Sequence, residues 1–318
     1  MTTQPLFLSP TLQERIWGGN KLNTEFHYDI PSDKTGEAWV ISAHENGPSM
    51  ITNGPLKGKT LTDAWEQHRD YFNRKESDTE AYPLLVKILD AAQNLSVQVH
   101  PDDTYAREKE GVPYGKTECW YVLDAEPDAK IVFGHHAQSV TELTTLAEEG
   151  KWHELLRYVP VTKGDFIYVP SGSIHAIGAG IVILETQQSS DITYRVYDYD
   201  RLDDQGNTRE LHLAQSIDVT TVPHKDPALN QSETTRGDLT VTELVEEHYF
   251  TVEKWTLNGQ TTETQNHDFL QVSVIEGEGT ITVDHESYTI KKGTHFVLPY
   301  GVNTFDLSGQ MTLITSHC

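Results

Sequence analysis

Cysteine is scarce in this sequence: two thiols, Cys119 and Cys318, occur in 318 residues. Two thiols are too few for a disulfide framework, and this favours a reducing compartment. The first ten residues, MTTQPLFLSP, contain neither a basic segment nor an apolar run, and no stretch of 18 apolar residues occurs anywhere. We therefore expect a soluble, cytoplasmic protein without a membrane segment.

Basic residues are also few, with 24 Lys and Arg against 48 Asp and Glu, so the net charge is -24. Nucleic acids and anionic membranes are bound by Lys- and Arg-rich surfaces, and the charge argues against both partners. A small phosphorylated ligand stays compatible with it, because a few inward-facing cations create a local positive pocket.

Most of the sequence consists of short β-rich runs bounded by Gly, Pro, Asp or Asn. Helical spacing is confined to short segments, at 61–72 and at 138–160, where Gly150 interrupts the repeat and two short helices are expected. Residues 223–238 are polar, contain two prolines and lack periodicity, which predicts a linker. We predict a mainly β protein of two related antiparallel β-barrel or β-sandwich modules with a few short helices.

One turn occurs twice, as GDFIYVPSGSIHAIG at 164–178 and as GTHFVLPYGVNTFDL at 293–307. The second glycine of the first copy, Gly172, permits a φ above zero before the next strand. Three positions later the first copy has His175 and the second has Thr304. Pro-Gly turns are common in β proteins, but two copies in phase indicate a repeated module. The frame resembles the second sequence motif of the cupins, small antiparallel barrels that often hold a metal. The resemblance implies two cupin-like, jelly-roll modules, and a C-terminal one that has lost its metal.

Metal-ligating residues accompany this histidine. Gln98 and His100 stand two positions apart, as do Lys116 and Glu118, so each pair faces one side of a strand. With His175 they offer two imidazoles, a carboxylate and an amide oxygen, if these strands line one barrel. Two His and one Glu leave coordination positions open, as in catalytic sites. The set suits Zn²⁺, Fe²⁺, Mn²⁺ or Co²⁺. Other histidines are interpreted as surface or packed side chains, namely His135, His136, His153, His212 and His285.

These segments, in this order, resemble a type I mannose-6-phosphate isomerase in its short bacterial form. The resemblance covers most of the first 220 residues and is most specific in QVHPDD and SSDITYRVYDYDR. It implies a catalytic metal-binding cupin domain over 1–225 and a degenerate cupin domain over 238–318. It also implies one Zn²⁺ per chain, held by Gln98, His100, Glu118 and His175. The family's essential arginine falls on Arg195, its acidic positions on Glu185 and Asp191, and its pocket lysines on Lys87 and Lys116. One departure is Ile177, where longer members have an aromatic residue.

The implied reaction interconverts D-mannose 6-phosphate and D-fructose 6-phosphate by moving a proton between C1 and C2 through a cis-enediol. It requires positive charge near the enediolate oxygens, a positioned acid and base, and cations for the phosphate. As catalytic residues we therefore predict Arg195, Lys116, Glu185 and Asp191, and as substrate-binding residues Lys87 and Arg195. The proton carrier stays open among Lys116, Glu185, Asp191 and a water on the metal.

Each of these assignments has a structural alternative. Glu185 shares a strand face with Ile181 and Ile183, and that face is either the pocket or the core; we favour the pocket. Arg195 presents a planar fork to a phosphate or an enediolate oxygen, or forms an ion pair with Asp191. Lys87, between apolar residues, enters a polar cavity or extends to the surface.

Two other functions remain compatible with the sequence. One is another cupin metalloenzyme, of the glucose-6-phosphate isomerase type or a dioxygenase. The other is a non-catalytic sugar-binding or storage cupin, although the intact ligand set argues against it. Inward-facing Arg195, Lys87 and Lys116 favour a small anionic sugar as the partner. The oligomeric state stays open.

Overall fold

The computed structural model describes residues 4–203 and 205–318, and within them twenty strands form three antiparallel sheets. The prediction of a mainly β protein is confirmed. The strands are β1 Leu6–Ser9, β2 Thr11–Gly19, β3 Thr35–Ile41, β4 Met50–Ile51, β5 Leu84–Ala91, β6 Val97–Val99, β7 Glu118–Ala125, β8 Lys130–His135, β9 Leu156–Pro160, β10 Phe166–Val169, β11 His175–Ala176, β12 Ile181–Gln188, β13 Tyr194–Tyr197, β14 Ser232–Arg236, β15 Leu239–Glu246, β16 Thr251–Thr264, β17 Phe269–Val283, β18 Glu286–Lys291, β19 His295–Pro299 and β20 Thr304–His317.

Helices are short and lie between strands. They are α1 Lys21–Thr24, α2 Leu61–Gln67, α3 Asp103–Tyr105, α4 Val140–Glu148, α5 Trp152–Leu155 and α6 Leu213–Val219, with a 3₁₀ turn at Arg69–Phe72 and a π-helical turn at Ala106–Glu110. The predicted helices at 61–72 and 138–160 are present, but Leu156 begins strand β9 and not a helical turn. No helix among the described residues combines the length and apolarity needed to cross a bilayer.

Three sheets are stacked so that the middle one is covered on both faces. We call them the front sheet (β13-β6-β11-β8-β9), the back sheet (β10-β7-β12-β5-β2-β3) and the C-terminal sheet (β14-β15-β16-β20-β17-β19-β1-β4, with β18 on β17). Every residue of β5 and β12 is buried. Leu89 and Ile183 pack toward Phe133 of the front sheet, whereas Leu184 belongs to a core shared with Ile314 of the C-terminal sheet.

This alternation decides the orientation of Glu185. Glu185 follows Ile183 at a spacing of two, so both side chains face the front sheet, where the core gives way to a cleft. The predicted orientation toward the pocket is therefore confirmed.

The N-terminal strand joins the C-terminal sheet. Leu6 of β1 lies opposite Val297 of β19, and β4 extends the same edge. Strands β1 and β4 therefore belong to the sheet of the C-terminal part, across the predicted boundary between residues 1–225 and 238–318. The division into these two domains stays a prediction.

The predicted linker over 223–238 is wrong for Ser232–Arg236, which form strand β14 against β15. All five residues are exposed. Because an exposed edge strand is held by backbone pairing, its side chains carry no apolar alternation that a sequence could show.

Both copies of the repeated turn have the expected backbone. Gly172 has a φ of 82° and Gly301 a φ of 97°, in the left-handed region that favours glycine. A Cβ on Gly172 would lie 2.6 Å from Thr221 Oγ1, so this position is also sterically restricted. The first turn leads into buried His175 and the second into exposed Thr304.

An aromatic cluster joins the two halves of the chain. Phe269 of β17 lies 6.3 Å from Trp65, 6.2 Å from Phe72 and 5.1 Å from Tyr82, measured between ring centroids. All four rings are buried.

We predict that Phe269→Ala lowers the free energy of unfolding by about 3–5 kcal/mol, because it removes a ring that contacts three others. Urea denaturation followed by tryptophan fluorescence measures the change. Tyr158→Ala, at a 43% exposed ring, is the control and should change stability by about 0.5 kcal/mol or less. Equal effects of the two substitutions would contradict this assignment.

Candidate metal centre and active-site cleft

Three side chains capable of binding a metal meet between the front and back sheets. Candidate ligand atoms of His100, Glu118 and His175 all lie within 4.8 Å of one another, and the three residues are buried. His175 Nε2 is 3.4 Å from Glu118 Oε1, and His100 Nε2 is 3.6 Å from Glu118 Oε2. Glu118 begins β7 of the back sheet, whereas both histidines come from the front sheet, at the start of β11 and directly after β6. The site thus depends on the packing of the two sheets.

His175 is held in the tautomer that a metal requires. Its Nδ1 lies 2.9 Å from the Ser173 carbonyl oxygen, which can only accept, so Nδ1 carries the proton and Nε2 a lone pair. This buried Nε2 has no hydrogen-bond partner among the described residues. Burial lowers the pKa of His175, and burial with the nearby Lys116 lowers that of His100, so both rings stay neutral. A cation would satisfy the lone pair, so these residues fit a metal.

Gln98 completes the predicted ligand set. It lies in β6 directly opposite His175 of β11, is half-buried, and lines the active-site cleft. Its side chain therefore lies on the side of the front sheet from which a metal would be reached.

Two lysines and a second carboxylate lie beside Glu118. Lys116 Nζ is 2.7 Å from Glu118 Oε2 and 3.8 Å from Glu185 Oε1, and Lys87 Nζ is also 3.8 Å from Glu185 Oε1. Trp120 Nε1 donates to Glu118 Oε1 at 2.9 Å and to Glu185 Oε2 at 3.1 Å. Glu185 stands opposite Lys87 on β5 and opposite Trp120 on β7, so strand register alone brings this group together.

The two buried carboxyl groups differ in their proton affinity. Burial would raise the pKa of Glu118, but Lys116 and His175 hold it below its usual value. Burial, and next the charge of Glu118, raise the pKa of Glu185 to about 7. Burial would lower the pKa of Lys116, but Glu118 and Glu185 hold it above its ordinary value. The cluster therefore combines a fixed anion, a fixed cation and a carboxyl group that titrates near neutrality.

Lys87 is flanked by Trp39, Glu37 and Arg15, none of which is among the site residues predicted from the sequence. Its ammonium lies 4.6 Å from the centroid of the Trp39 ring, and Trp39 Nε1 donates to Glu37 at 2.7 Å. Arg15 binds Glu37 through Nε at 2.8 Å and Nη2 at 3.2 Å. Burial lowers the pKa of Lys87, against the opposing charge of Glu37.

A cleft of about 500 Å³ opens beside these residues, and its lining includes Lys87, Lys116, Glu185, Asp191, Thr193 and Arg195. We call Lys87, Lys116 and Glu185, together with the adjoining His100–Glu118–His175 cluster, the floor of the site. Asp191 lies at the rim, with its side chain 44% exposed, and accepts from Asn46 Nδ2 at 2.7 Å. Arg195 donates from Nη1 to the Glu210 carbonyl at 2.8 Å. Among the described residues no ion pair joins Arg195 to Asp191, so that alternative is excluded for this part of the chain.

The five histidines interpreted above as surface or packed side chains are not part of the His100–Glu118–His175 cluster. His136, His153 and His285 are exposed, and buried His135 contacts the Thr221 carbonyl oxygen. His212 Nδ1 accepts from the backbone N–H of Arg195 at 3.1 Å and so supports β13.

Trp120 is absent from the site residues predicted from the sequence, although its position carries a signal. It stands two positions after Glu118 and therefore had to face the same side of β7. Arg209, which also lines the cleft, gave no such signal, because it lies in a loop beyond any strand.

Comparisons with known proteins agree with this geometry. The family model for the phosphomannose isomerase type I catalytic domain matches residues 6–141, and that for the mannose-6-phosphate isomerase cupin domain matches residues 240–318. The chain is 52% identical to the mannose-6-phosphate isomerase ManA of Bacillus subtilis, over 100% of both chains. It is 50% identical to the mannose-6-phosphate isomerase of Streptococcus mutans, over 99% of this chain and 98% of the relative.

A solved structure also has the same fold as this chain. The crystal structure of the mannose 6-phosphate isomerase from Bacillus subtilis superposes with a TM-score of 0.96 at 49% identity, covering 99% of each chain. The superposition therefore extends over nearly the whole of both chains. The chain belongs to the type I mannose-6-phosphate isomerase family of enzymes.

Proposed function

We propose that this protein interconverts D-mannose 6-phosphate and D-fructose 6-phosphate by proton transfer between C1 and C2 through a cis-enediol. The observation that carries the proposal is the buried His100–Glu118–His175 cluster, which adjoins Lys116 and Glu185, two residues that line a cleft. Relatives about half identical over the whole chain are named for this reaction. We place it in the cytoplasm, where the free thiols of Cys119 and Cys318 are stable.

We infer that His100, Glu118, His175 and Gln98 hold one Zn²⁺ per chain. Two neutral imidazoles, a carboxylate and an amide oxygen suit this ion and leave room for substrate oxygens. When bound, the ion supplies positive charge that stabilises the developing enediolate. Trp120 and Lys116 hold the Glu118 carboxylate in place through one oxygen each.

Glu185 is the proton carrier that this arrangement favours. Lys116 is a poor base because its ammonium is paired with Glu118, and Asp191 lies at the rim, bound to Asn46. Glu185 is 3% exposed, and its Oε1 has no hydrogen-bond partner among the described residues. Its pKa of about 7 suits a group that accepts and returns a proton at neutral pH.

The cationic residues of the cleft favour an anionic sugar as the substrate. Lys87 and Lys116 belong to the floor, where we place the oxygens of the reacting carbons, and Arg195 lies on the wall formed by β13. We infer that Lys87 and Arg195 bind substrate, that Lys116 stabilises negative charge at the reacting carbons, and that Arg195 contributes to turnover by holding the substrate in the reactive orientation.

We predict that the purified protein contains about one zinc ion per chain, consistent with the single ligand set proposed here. It should convert mannose 6-phosphate in an assay coupled to fructose 6-phosphate consumption. Dialysis against a chelator should abolish turnover, and added Zn²⁺ should restore it. Oxygen uptake would instead indicate a dioxygenase, turnover of glucose 6-phosphate alone another isomerase, and binding without turnover a sugar-binding cupin.

We predict that His175→Ala and Glu118→Ala lose both bound metal and activity. The expected decrease in kcat is at least on the order of 10²-fold, because the ion supplies several kcal/mol of stabilisation. Arg195→Ala should keep the metal and lose turnover, and His153→Ala, at an exposed histidine, should keep both. Metal analysis beside the isomerase assay distinguishes these outcomes; full metal content in His175→Ala would contradict the ligand assignment.

We predict that Glu185→Gln retains metal and lowers kcat on the order of 10²–10⁴-fold. In the wild type, kcat should rise with pH, because the carboxylate is the form that accepts a proton. Burial holds the pKa of Glu185 at about 7, and a cation beside Glu118 would lower it, so half-maximal kcat is expected at or below about pH 7.

The matched control is Glu276→Gln, which removes an exposed carboxylate paired with Lys163. It should leave kcat and its pH profile unchanged. If Glu185→Gln kept more than about a tenth of the wild-type kcat, Glu185 would not be the proton carrier.

A further inference from the structure

Two guanidinium groups bind one buried carboxylate beside the cleft, and a third, that of Arg195, lines the same cleft. Arg209 binds Asp198 through Nε at 2.7 Å and Nη2 at 2.6 Å, and Arg201 Nη2 binds the same carboxylate at 2.6 Å. Asp198 is 4% exposed, and the positive charges hold its pKa low despite burial. Burial, and next the charge of Arg209, lower the pKa of Arg195, so these two cations are close enough to repel.

The backbone between these residues explains the convergence. Tyr199 and Asp200 both have a left-handed φ, of 58° and 53°, directly after Asp198. The chain turns back at this point, and Arg201 and later Arg209 both reach the Asp198 carboxylate. This turn keeps Arg201 and Arg209 near the wall of the cleft. A straight continuation of β13 would carry both side chains away from it.

Arg209 is held in a fixed orientation by Asp198, and its Nη1 group is not used in that pair. Its side chain is 25% exposed and lines the cleft. Because Asp198 occupies the Nε and Nη2 edge, the Nη1 donors are not used by that carboxylate. Arg195, which lines the same cleft, has an Nε without a hydrogen-bond partner among the described residues.

Positive charge elsewhere in the cleft is balanced. Arg15 is bound by both oxygens of Glu37. The two floor lysines lie near Glu118 and Glu185. At the β13 wall, by contrast, Arg201 and Arg209 share the single carboxylate of Asp198, and Arg195 has no carboxylate partner among the described residues. Arg195 donates to the backbone carbonyl of Glu210, whose side chain is exposed.

We propose that Arg209 is a phosphate-binding residue, which together with Arg195 holds the 6-phosphate of the substrate. The inference rests on the proposed function and adds an orientation: C6 lies at the β13 wall and the C1–C2 end reaches the floor. A phosphate dianion matches two guanidinium forks, because each offers paired N–H donors in one plane. Asp198 and Arg201 position Arg209 without touching the substrate.

The test compares Arg209→Met and Arg209→Lys with wild type. Arg209→Met should raise the KM for mannose 6-phosphate about 10- to 100-fold, and weaken binding of inorganic phosphate equally, since charged hydrogen bonds are lost. The value of kcat should change little, and Arg209→Lys should be intermediate because it keeps the charge and loses the fork. Phosphate binding is measured by calorimetry and as competitive inhibition.

Arg157→Met is the matched control. Arg157 also forms a two-bond pair, with Asp226, but does not line the cleft. It should leave KM and phosphate binding unchanged. If Arg209→Met stayed within about twofold of wild type in both quantities, or lost kcat with phosphate binding intact, the proposal would be overturned.

Two further outcomes separate this inference from the function on which it rests. Phosphate binding that depends on Arg209 in a protein without isomerase activity would refute the function and keep the anion site. Isomerase activity together with phosphate binding that does not depend on Arg209 would support the function and refute the proposed role of Arg209. Should Arg209→Met lower the melting temperature, Arg209→Lys, which can still pair with Asp198, decides between the outcomes.

Discussion

The burial of the Glu118 carboxylate is the constraint on which the site depends. A carboxylate without solvent is costly unless it is paired and hydrogen-bonded. Lys116 forms an ion pair with one oxygen, Trp120 donates a hydrogen bond to the other, and two neutral imidazoles approach from the opposite sheet. The neighbouring Glu185 cannot share this stabilisation fully, because the same lysine and the same indole are already engaged. Its raised proton affinity therefore follows from the way Glu118 is held.

The stacking of three sheets makes this burial feasible. The back sheet carries Glu118, Glu185 and Lys87 on the face toward the front sheet, and apolar residues such as Leu184 on the face toward the C-terminal sheet. A sheet with one solvated face would leave those apolar residues exposed. The C-terminal module and strand β1 together cover them, and thereby keep the outer face of the back sheet out of solvent.

The sequence allowed the floor of the site to be predicted, because the floor follows strand periodicity. Glu118 with Lys116 obeys a spacing of two, and His175 follows a turn whose glycine needs a positive φ. The rim was less predictable. Asp191 proved to be exposed, and the Asp198–Arg209 pair depends on a turn whose left-handed residues are Tyr and Asp rather than glycine. The exposed strand β14 and the crossing of β1 were invisible for a related reason: backbone pairing determines them, and it imposes no side-chain pattern.

The C-terminal module shows why a repeated turn does not imply a repeated site. Its buried histidine, His295, has both ring nitrogens in contact, with Tyr28 Oη at 2.7 Å and with Ser273 Oγ at 2.8 Å. Burial lowers its pKa to about 3, so the ring is neutral. His175 is neutral as well, but its Nε2 faces a carboxylate and lacks a hydrogen bond. A buried lone pair without a protein partner is free to bind a cation, whereas the ring nitrogens of His295 are already engaged by a tyrosine and a serine. The two modules thus share a turn and a buried imidazole, and the difference in chemistry lies in what the second nitrogen meets.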